Sequence, residues 1–298
     1  MITGLPIRGE ALILPPRSAD WREQLRGRFH KDIPRQGSGQ LARGVPLHWL
    51  RHFQECPLDA DDGEVRTHLV AYLLWLFGWI MFPTSHGNIV NPAYIRLAES
   101  LADAPIDEIA VYSWGSAMLC ATYKGLCDAS VRSKGKEPIL SACHCLLQLW
   151  SWEHFPVGRL TITHPIHPYA AHVEDPTMGT RWTCATLRWG RAVSVRCYLF
   201  YHQEFEMLEE QAVIWSPWKD AHLHSVAPLG LSPSCYNDAT LWLTTCHLVF
   251  SNMVEPYAPQ RVMRQFGLFQ TVPPQPTRGL DEASHEYVPN FIIIENYI

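Results

Sequence analysis

Apolar residues recur every three or four positions along most of the chain, the spacing of one helix face. The pattern is densest over residues 112–159. There Met118, Ala121, Thr122, Gly125 and Leu126 fall near one face of a helix predicted from Ser113 to about Ala129. Ser113 is placed to accept from the free N–H groups of the first turn. Gly115, Ser116, Ala117, Ala121 and Gly125 are small enough to let another helix come close. The basic stretch 132–136 contains Gly135 and reads as an exposed turn. A second helix is expected from about Pro138, since proline suits a first turn. Its Leu146, Leu147, Leu149, Trp150 and Trp152 are too apolar to leave in water. His154-Phe155-Pro156 ends it, because a residue before proline is pushed out of the helical region. The two elements read as a helical hairpin at the centre of the fold.

The same periodicity predicts helices near 21–29, over 45–53 (where Leu47, Leu50 and Phe53 share a face), over 91–102, over 193–208 and over 241–254. Residues 67–82 carry the longest apolar run and read as the most buried helix. The alternating, β-branched stretch 211–218 (QAVIWSPW) reads as a short strand. Residues 57–64 form an acidic loop, and 161–179 a loop rich in histidine and proline. The fold class is therefore mainly α, a single helical domain with a few short strands.

Composition narrows the function classes. A hydrophobic fraction of 47% and twelve tryptophans argue for a packed core over disorder. The net charge of −5 is not the footprint of a chain that wraps nucleic acid through bulk charge. Arginine dominates the cations, with lysine only at Lys31, Lys124, Lys134, Lys136 and Lys219. Nine cysteines without framework spacing read as reduced thiols of an intracellular protein. The N-terminus lacks the pattern of a signal peptide. The apolar run at 69–82 falls short of the roughly 20 residues a membrane span needs, so no membrane partner is expected.

Tyr112, Ser113, Trp114, Gly115, Ser116, Ala117, Tyr123, Leu126 and Cys127, followed by Leu147, Gln148, Trp150, Trp152, Glu153, Phe155, Pro156 and Gly158, are in part rare residue types in a fixed order. This order resembles the core of the plant mobile domain, the domain of MAINTENANCE OF MERISTEMS-like proteins and of some plant transposons. Arg181 and Trp182 match a family Arg-Trp, and Arg261, Val262, Arg264, Gln265, Phe266, Gly267, Leu268 and Gln270 follow the family order. Trp215 lies in a segment where the family often has glutamate in place of Ser216 and tyrosine in place of Trp218. The resemblance covers about 3–276. One domain is expected over 1–285, truncated at both ends, with a divergent tail at 286–298 that packs weakly on it.

What the resemblance implies is a non-enzymatic nuclear interaction domain, linked to meristem maintenance, genome integrity and transposable-element silencing. It also implies a partner like protein phosphatase 7. The motif residues carried over, as structural or interaction positions, are Trp114, Gly115, Gln148, Trp150, Trp152, Glu153, Trp215, Arg261, Arg264, Gln265, Phe266 and Gly267. The alternative is a transposon-derived domain that binds or cuts nucleic acid. Its direct support in the sequence is the arginine excess and the Arg22, Arg26, Arg28 cluster.

Chemistry read from the residues is sparse. Cys143-His144-Cys145 cannot converge on one metal from adjacent helix positions. The loop histidines His164, His167 and His172 have no fixed geometry. Asp59, Asp61, Asp62 and Glu64 around Gly63 lack the glutamate of a calcium loop. Some family members carry the label "aminotransferase-like", but no lysine here is accompanied by a phosphate-binding cup, and that activity is rejected. No cofactor, metal or catalytic residue is assigned. Trp150 and Trp152 flank Ser151 and cannot share one helix face, so either both are core or one lines a contact surface. As core, Trp150 would cost about 3–5 kcal/mol on truncation to alanine.

Overall fold

The computed structural model describes residues 2–34, 42–84, 87–131, 140–160, 176–184, 195–219, 227 and 230–272. The expected tail at 286–298, the turn at 132–136, Pro138 and most of the histidine loop lie outside these residues. The architecture is mainly helical, with two small two-stranded sheets. Contacts group the chain into two compact units, one from within 8–143 and 247–256, the other from within 2–7, 144–246 and 257–272.

The larger unit starts with α1, Trp21–Phe29, where Trp21, Leu25 and Phe29 at four-residue spacing form its buried stripe. It ends where His30 turns left-handed (φ 49°) and donates its N–H to the Arg26 carbonyl. The predicted helix at 45–53 is split. Val45–Pro46 (β1) pairs antiparallel with Ile89–Val90 (β2), and the helix proper is α2, Leu47–Leu50, tightened into a 3-10 turn over Arg51–Phe53. Proline at 46 sets the entry to that helix without needing an N–H.

The helix expected at 67–82 begins earlier, as α3, Asp62–Trp75. Asp61 caps it by accepting from the Glu64 N–H at 2.8 Å. It then widens into a π turn, Leu76–Met81, closed by the Phe82 N–H on the Phe77 carbonyl at 2.8 Å. Gly78 lies in this turn because a Cβ there would meet the Val90 side chain at 2.5 Å. The expectation that this is the most buried helix is corrected: Val70, Leu74 and Phe77 are buried, but Val65, Leu69, Tyr72 and Trp79 are exposed. α4, Tyr94–Asp103, follows as predicted and buries Tyr94, Ile95, Leu97, Ala98 and Ala102.

α5, Trp114–Val131, buries Met118, Ala121, Thr122 and Gly125 of the predicted face together with Ala117, but Leu126, expected on that face, is exposed. Ser113 precedes it, and its hydroxyl donates to the Glu10 carbonyl at 3.0 Å. Gly125 faces the backbone of Ser141. The helix predicted over 241–254 is instead a 3-10 turn, Ala239–Leu241, and a hairpin of β3, Cys246–Phe250, with β4, Met253–Tyr257. Ser251 at positive φ makes the turn, and Pro256 would break a helix. The short apolar run Leu248-Val249-Phe250 is as compatible with a buried strand as with a helix. Five aromatic rings run through this unit in contact. Trp114 stacks on Phe77, Phe77 meets Tyr94, Tyr94 stacks on Phe82, and Phe82 stacks on Phe250 at 4.1 Å.

The smaller unit holds α6, His144–His154, and α7, Val195–Glu206. The two helices expected as a central hairpin, α5 and α6, fall in different units. The second begins at His144, and 140–143 are not helical. The predicted strand at 211–218 is absent. Glu210–Ala212 is a 3-10 turn, and Pro217 and the turn around it leave no run long enough to pair. A second 3-10 segment, Met178–Cys184, carries Trp182, and Met263–Phe266 ends at Gly267 with φ 71°.

Candidate functional site

The motif residues fall into three settings. Trp114, followed by Gly115 on the first turn of α5, is half-buried in the aromatic row, 5.5 Å from Phe77 and nearly parallel to it. That contact gives Trp114 a packing role.

Gln148, Trp150, Trp152 and Glu153 lie on α6. Trp152 is buried, and its indole N–H donates to the Gly158 carbonyl at 3.0 Å. Glu153 is fully buried, and its Oε1 accepts from the Trp182 indole at 2.7 Å. Arg159 donates to the Trp152 and Glu153 carbonyls and lies over the Trp182 ring at 5.9 Å. The Trp182 indole offsets part of the cost of burying the Glu153 carboxylate, while Arg159 holds the last-turn carbonyls, and together they fix the end of α6. Trp150 is only half-buried and packs on His154 at 4.7 Å and Phe155 at 5.5 Å. The spacing left open whether both tryptophans are core; Trp152 is, and the expectation of a fully buried Trp150 is corrected. Trp152→Ala should cost about 3–5 kcal/mol and Trp150→Ala about half as much. Urea unfolding of both variants checks the order, and an equal loss would contradict this packing.

His154 is buried beside Trp150 and Trp218, and its Nε2 has no hydrogen-bond partner among the described residues. Burial pushes its pKa down to about 4. A folded pKa below the unfolded value near 6.5 means the unfolded chain binds the proton more readily. Stability is then complete above about pH 6.5 and declines as pH falls toward 4, by on the order of 2 kcal/mol after allowance for solvent screening. His154→Gln should flatten that part of the stability–pH curve. An unchanged slope between pH 6.5 and 4.5 would show that His154 is not held neutral.

Trp215, Arg261, Arg264 and Gln265 come together around a shallow pocket of about 280 Å³. The Arg264 guanidinium lies 5.1 Å from the Trp215 ring and pairs with Glu210 at 2.7 Å. Its carbonyl accepts from the Ser216 hydroxyl at 2.9 Å. Phe266 is half-buried, and Gly267 supplies the left-handed turn that ends this segment.

The larger concavity was not foreseen. It is a groove of about 870 Å³ in the larger unit. One wall is α2 with its 3-10 turn, through Leu47, Leu50 and Phe53, and the other is the exposed side of α3. Val65 (46% exposed), Leu69 (39%), Tyr72 (55%) and Trp79 (47%) form a stripe along it, with Trp75 between. His68 is anchored in the groove by its Nδ1 on the Phe53 carbonyl at 2.9 Å. The available signal was a second apolar stripe on α3, beside the Val70, Leu74 and Phe77 stripe that serves the core.

Burial pushes the Cys120 thiol up to about 12, and it also raises Tyr94 and Tyr123. Two of the three arginines read as support for nucleic-acid binding, Arg22 and Arg28, are engaged within the protein, and Arg26 is exposed. Arg22 donates to the Ala42 carbonyl, Arg26 is 3.7 Å from Asp32, and Arg28 holds Asp103 through two hydrogen bonds of 2.6 and 2.8 Å. Among the described residues no three His, Cys, Asp or Glu side chains are gathered to hold a metal ion, and no helix is long and apolar enough to cross a membrane.

The plant mobile domain family model matches residues 1–290. The chain belongs to the plant mobile domain family. It is 30% identical over 283 residues to the serine/threonine-protein phosphatase 7 long form homolog of Arabidopsis thaliana, covering 92% of this chain and 19% of that protein. It is 28% identical over 292 residues to Protein MAINTENANCE OF MERISTEMS of the same plant, covering 96% of this chain and 54% of that protein. Protein MAIN-LIKE 1, also from Arabidopsis thaliana, is 28% identical over 277 residues, covering 92% and 48%. The chain thus spans about half the length of the two meristem-type relatives and about a fifth of the phosphatase-named one. No solved structure matches it.

Proposed function

We propose that this plant mobile domain is a non-enzymatic protein-interaction domain that acts in the nucleus. The observation that carries this reading is the open groove beside α3. Four large apolar side chains stand exposed along one helix there, and contiguous apolar surface of this kind marks interaction sites. Tyrosine and tryptophan, both in the stripe, are favoured as interface anchors. The names of its relatives support a role in meristem maintenance, and with it the genome integrity and transposon silencing that the family resemblance implies. The match to a protein named as a phosphatase 7 homolog supports a partnership with a phosphatase of that type. The engagement of Arg22 and Arg28 within the fold, which leaves Arg26 as the exposed member of that cluster, speaks for protein over nucleic acid as the partner.

The test is a pair of titrations with the purified chain. A phosphatase 7-type protein should bind, and duplex DNA at low salt should not. DNA binding that weakens steeply with salt, with no phosphatase binding, would establish the transposon-derived alternative instead.

A further inference from the structure

The groove beside α3 is apolar along its length and acidic at one end. Its two walls are joined by the loop 54–61, between the 3-10 turn at Arg51–Phe53 and the start of α3 at Asp62. Glu55, Asp59 and Asp61 on that loop, and Asp62 and Glu64 on the first turn of α3, are all exposed. No lysine or arginine lies between Arg51 and Arg66. Asp61, Asp62 and Glu64 suit the positive end of α3, while Glu55 and Asp59 lie outside that helix. Arg66 turns away to donate to the Asp103 carbonyl at the end of α4, at 2.9 Å. Arg51 lines the groove itself, whereas the five carboxylates stand on the stretch of chain that joins its two walls and give that stretch a net negative charge.

The shape selects among binding modes. The stripe from Val65 to Trp79 runs for about 20 Å at helical rise. That is the length of a partner helix of about four turns, with apolar residues at i, i+3, i+4 and i+7. The β1–β2 ribbon is buried at Val45 and Val90 and offers the groove no strand edge for an extended peptide. Val65, Leu69, Leu47 and Leu50 give both walls an aliphatic lining, suited to leucine-like side chains.

We propose that this groove takes the apolar face of a basic amphipathic helix from a protein partner, a reading that rests on the interaction role proposed above. The partner's leucine-like residues fill the space between α2 and α3, and its lysines or arginines face the 55–64 stretch. Burial of apolar surface supplies the affinity, and the charged end sets the direction in which the helix lies.

The probe is a fluorescein-labelled helical peptide of about 18 leucines and lysines, with leucines at the spacing above, titrated into the full chain by anisotropy. Saturable binding is expected at about 50 mM salt, weakened several-fold at about 500 mM. Leu69→Asp and Trp79→Ser, each checked for an unchanged circular dichroism spectrum, should each weaken it about tenfold. The same leucine pattern carrying glutamates should bind about tenfold less well. Equal binding of the acidic peptide, preferential binding of a proline-rich peptide, or indifference to both substitutions in folded protein overturns the proposal. A dimer broken by Leu69→Asp in sedimentation experiments makes a second copy the occupant and overturns it as well. If a phosphatase 7-type protein binds and neither substitution affects it or the probe, the interaction role stands and this occupant does not.

Discussion

Replacing Phe77 by alanine is expected to destabilise the larger unit by about 3–5 kcal/mol, the range for deleting a fully buried aromatic ring. Phe77 lies at the start of the π turn and is 2% exposed. Its ring stacks on Trp114 and contacts Tyr94 and Phe82. Removing it opens the middle of the aromatic row and leaves three rings without a shared neighbour. The surrounding rings are rigid and held by their own helices, so little collapse into the cavity is expected, which places the cost in the upper part of the range. Equilibrium unfolding in urea measures it. A loss under about 1 kcal/mol would show that the row is not the centre of this core.

The second large effect is expected at Gly125. In an exposed helix, alanine in place of glycine stabilises by about 1 kcal/mol. At Gly125 a Cβ would stand 2.0 Å from the Ser141 carbonyl oxygen and 2.7 Å from its carbon. Those are backbone atoms, so a whole segment must shift, and overpacking of this kind costs about 1–3 kcal/mol or more. The clash outweighs the propensity gain, and Gly125→Ala should lower the melting temperature by several degrees. Gly27 in α1 has no neighbouring atom within 4 Å of such a Cβ. Gly27→Ala should therefore leave the melting temperature unchanged or raise it. The same substitution thus carries opposite signs at two helical glycines. Matching effects at both would contradict the close approach of Ser141 to α5.

Much of this organisation is legible in the sequence because helix periodicity is a local property. α1, α4, α5 and α7 follow directly from apolar spacing, and the small-residue face of α5 is the face that packs. The errors have a common physical origin. Leu248-Val249-Phe250 and the run around Trp215 are short apolar segments, whose secondary structure is decided by what they pair with. β3 is a strand because β4 and the bridge at Leu12 satisfy its backbone, which no local pattern reports. The late start of α6 has a different cause: 140–143 pass against α5, where the Cys143 N–H reaches the Thr122 hydroxyl at 3.4 Å.

The candidate site was less legible than the fold. Trp215, Arg261, Arg264 and Gln265, carried over from family resemblance, do meet around one pocket. Trp152 and Glu153 are buried structural residues, and Glu153 is tied to Trp182, a pairing across 29 positions that spacing cannot predict. The groove was missed because 67–82 is apolar on nearly every face. Such a helix reads as buried, and only the positions of its neighbours reveal that one of its stripes faces solvent.

A docking face on the exposed side of α3 should show itself as local protection when its occupant binds. Hydrogen–deuterium exchange of the chain, free and saturated with the leucine–lysine peptide, tests it most directly. Slowed exchange is expected, confined to the two groove walls, peptides from 47–56 and 65–79, with 144–154 unchanged. Protection that falls on 261–270 or on α6, with α3 unaffected, would contradict it.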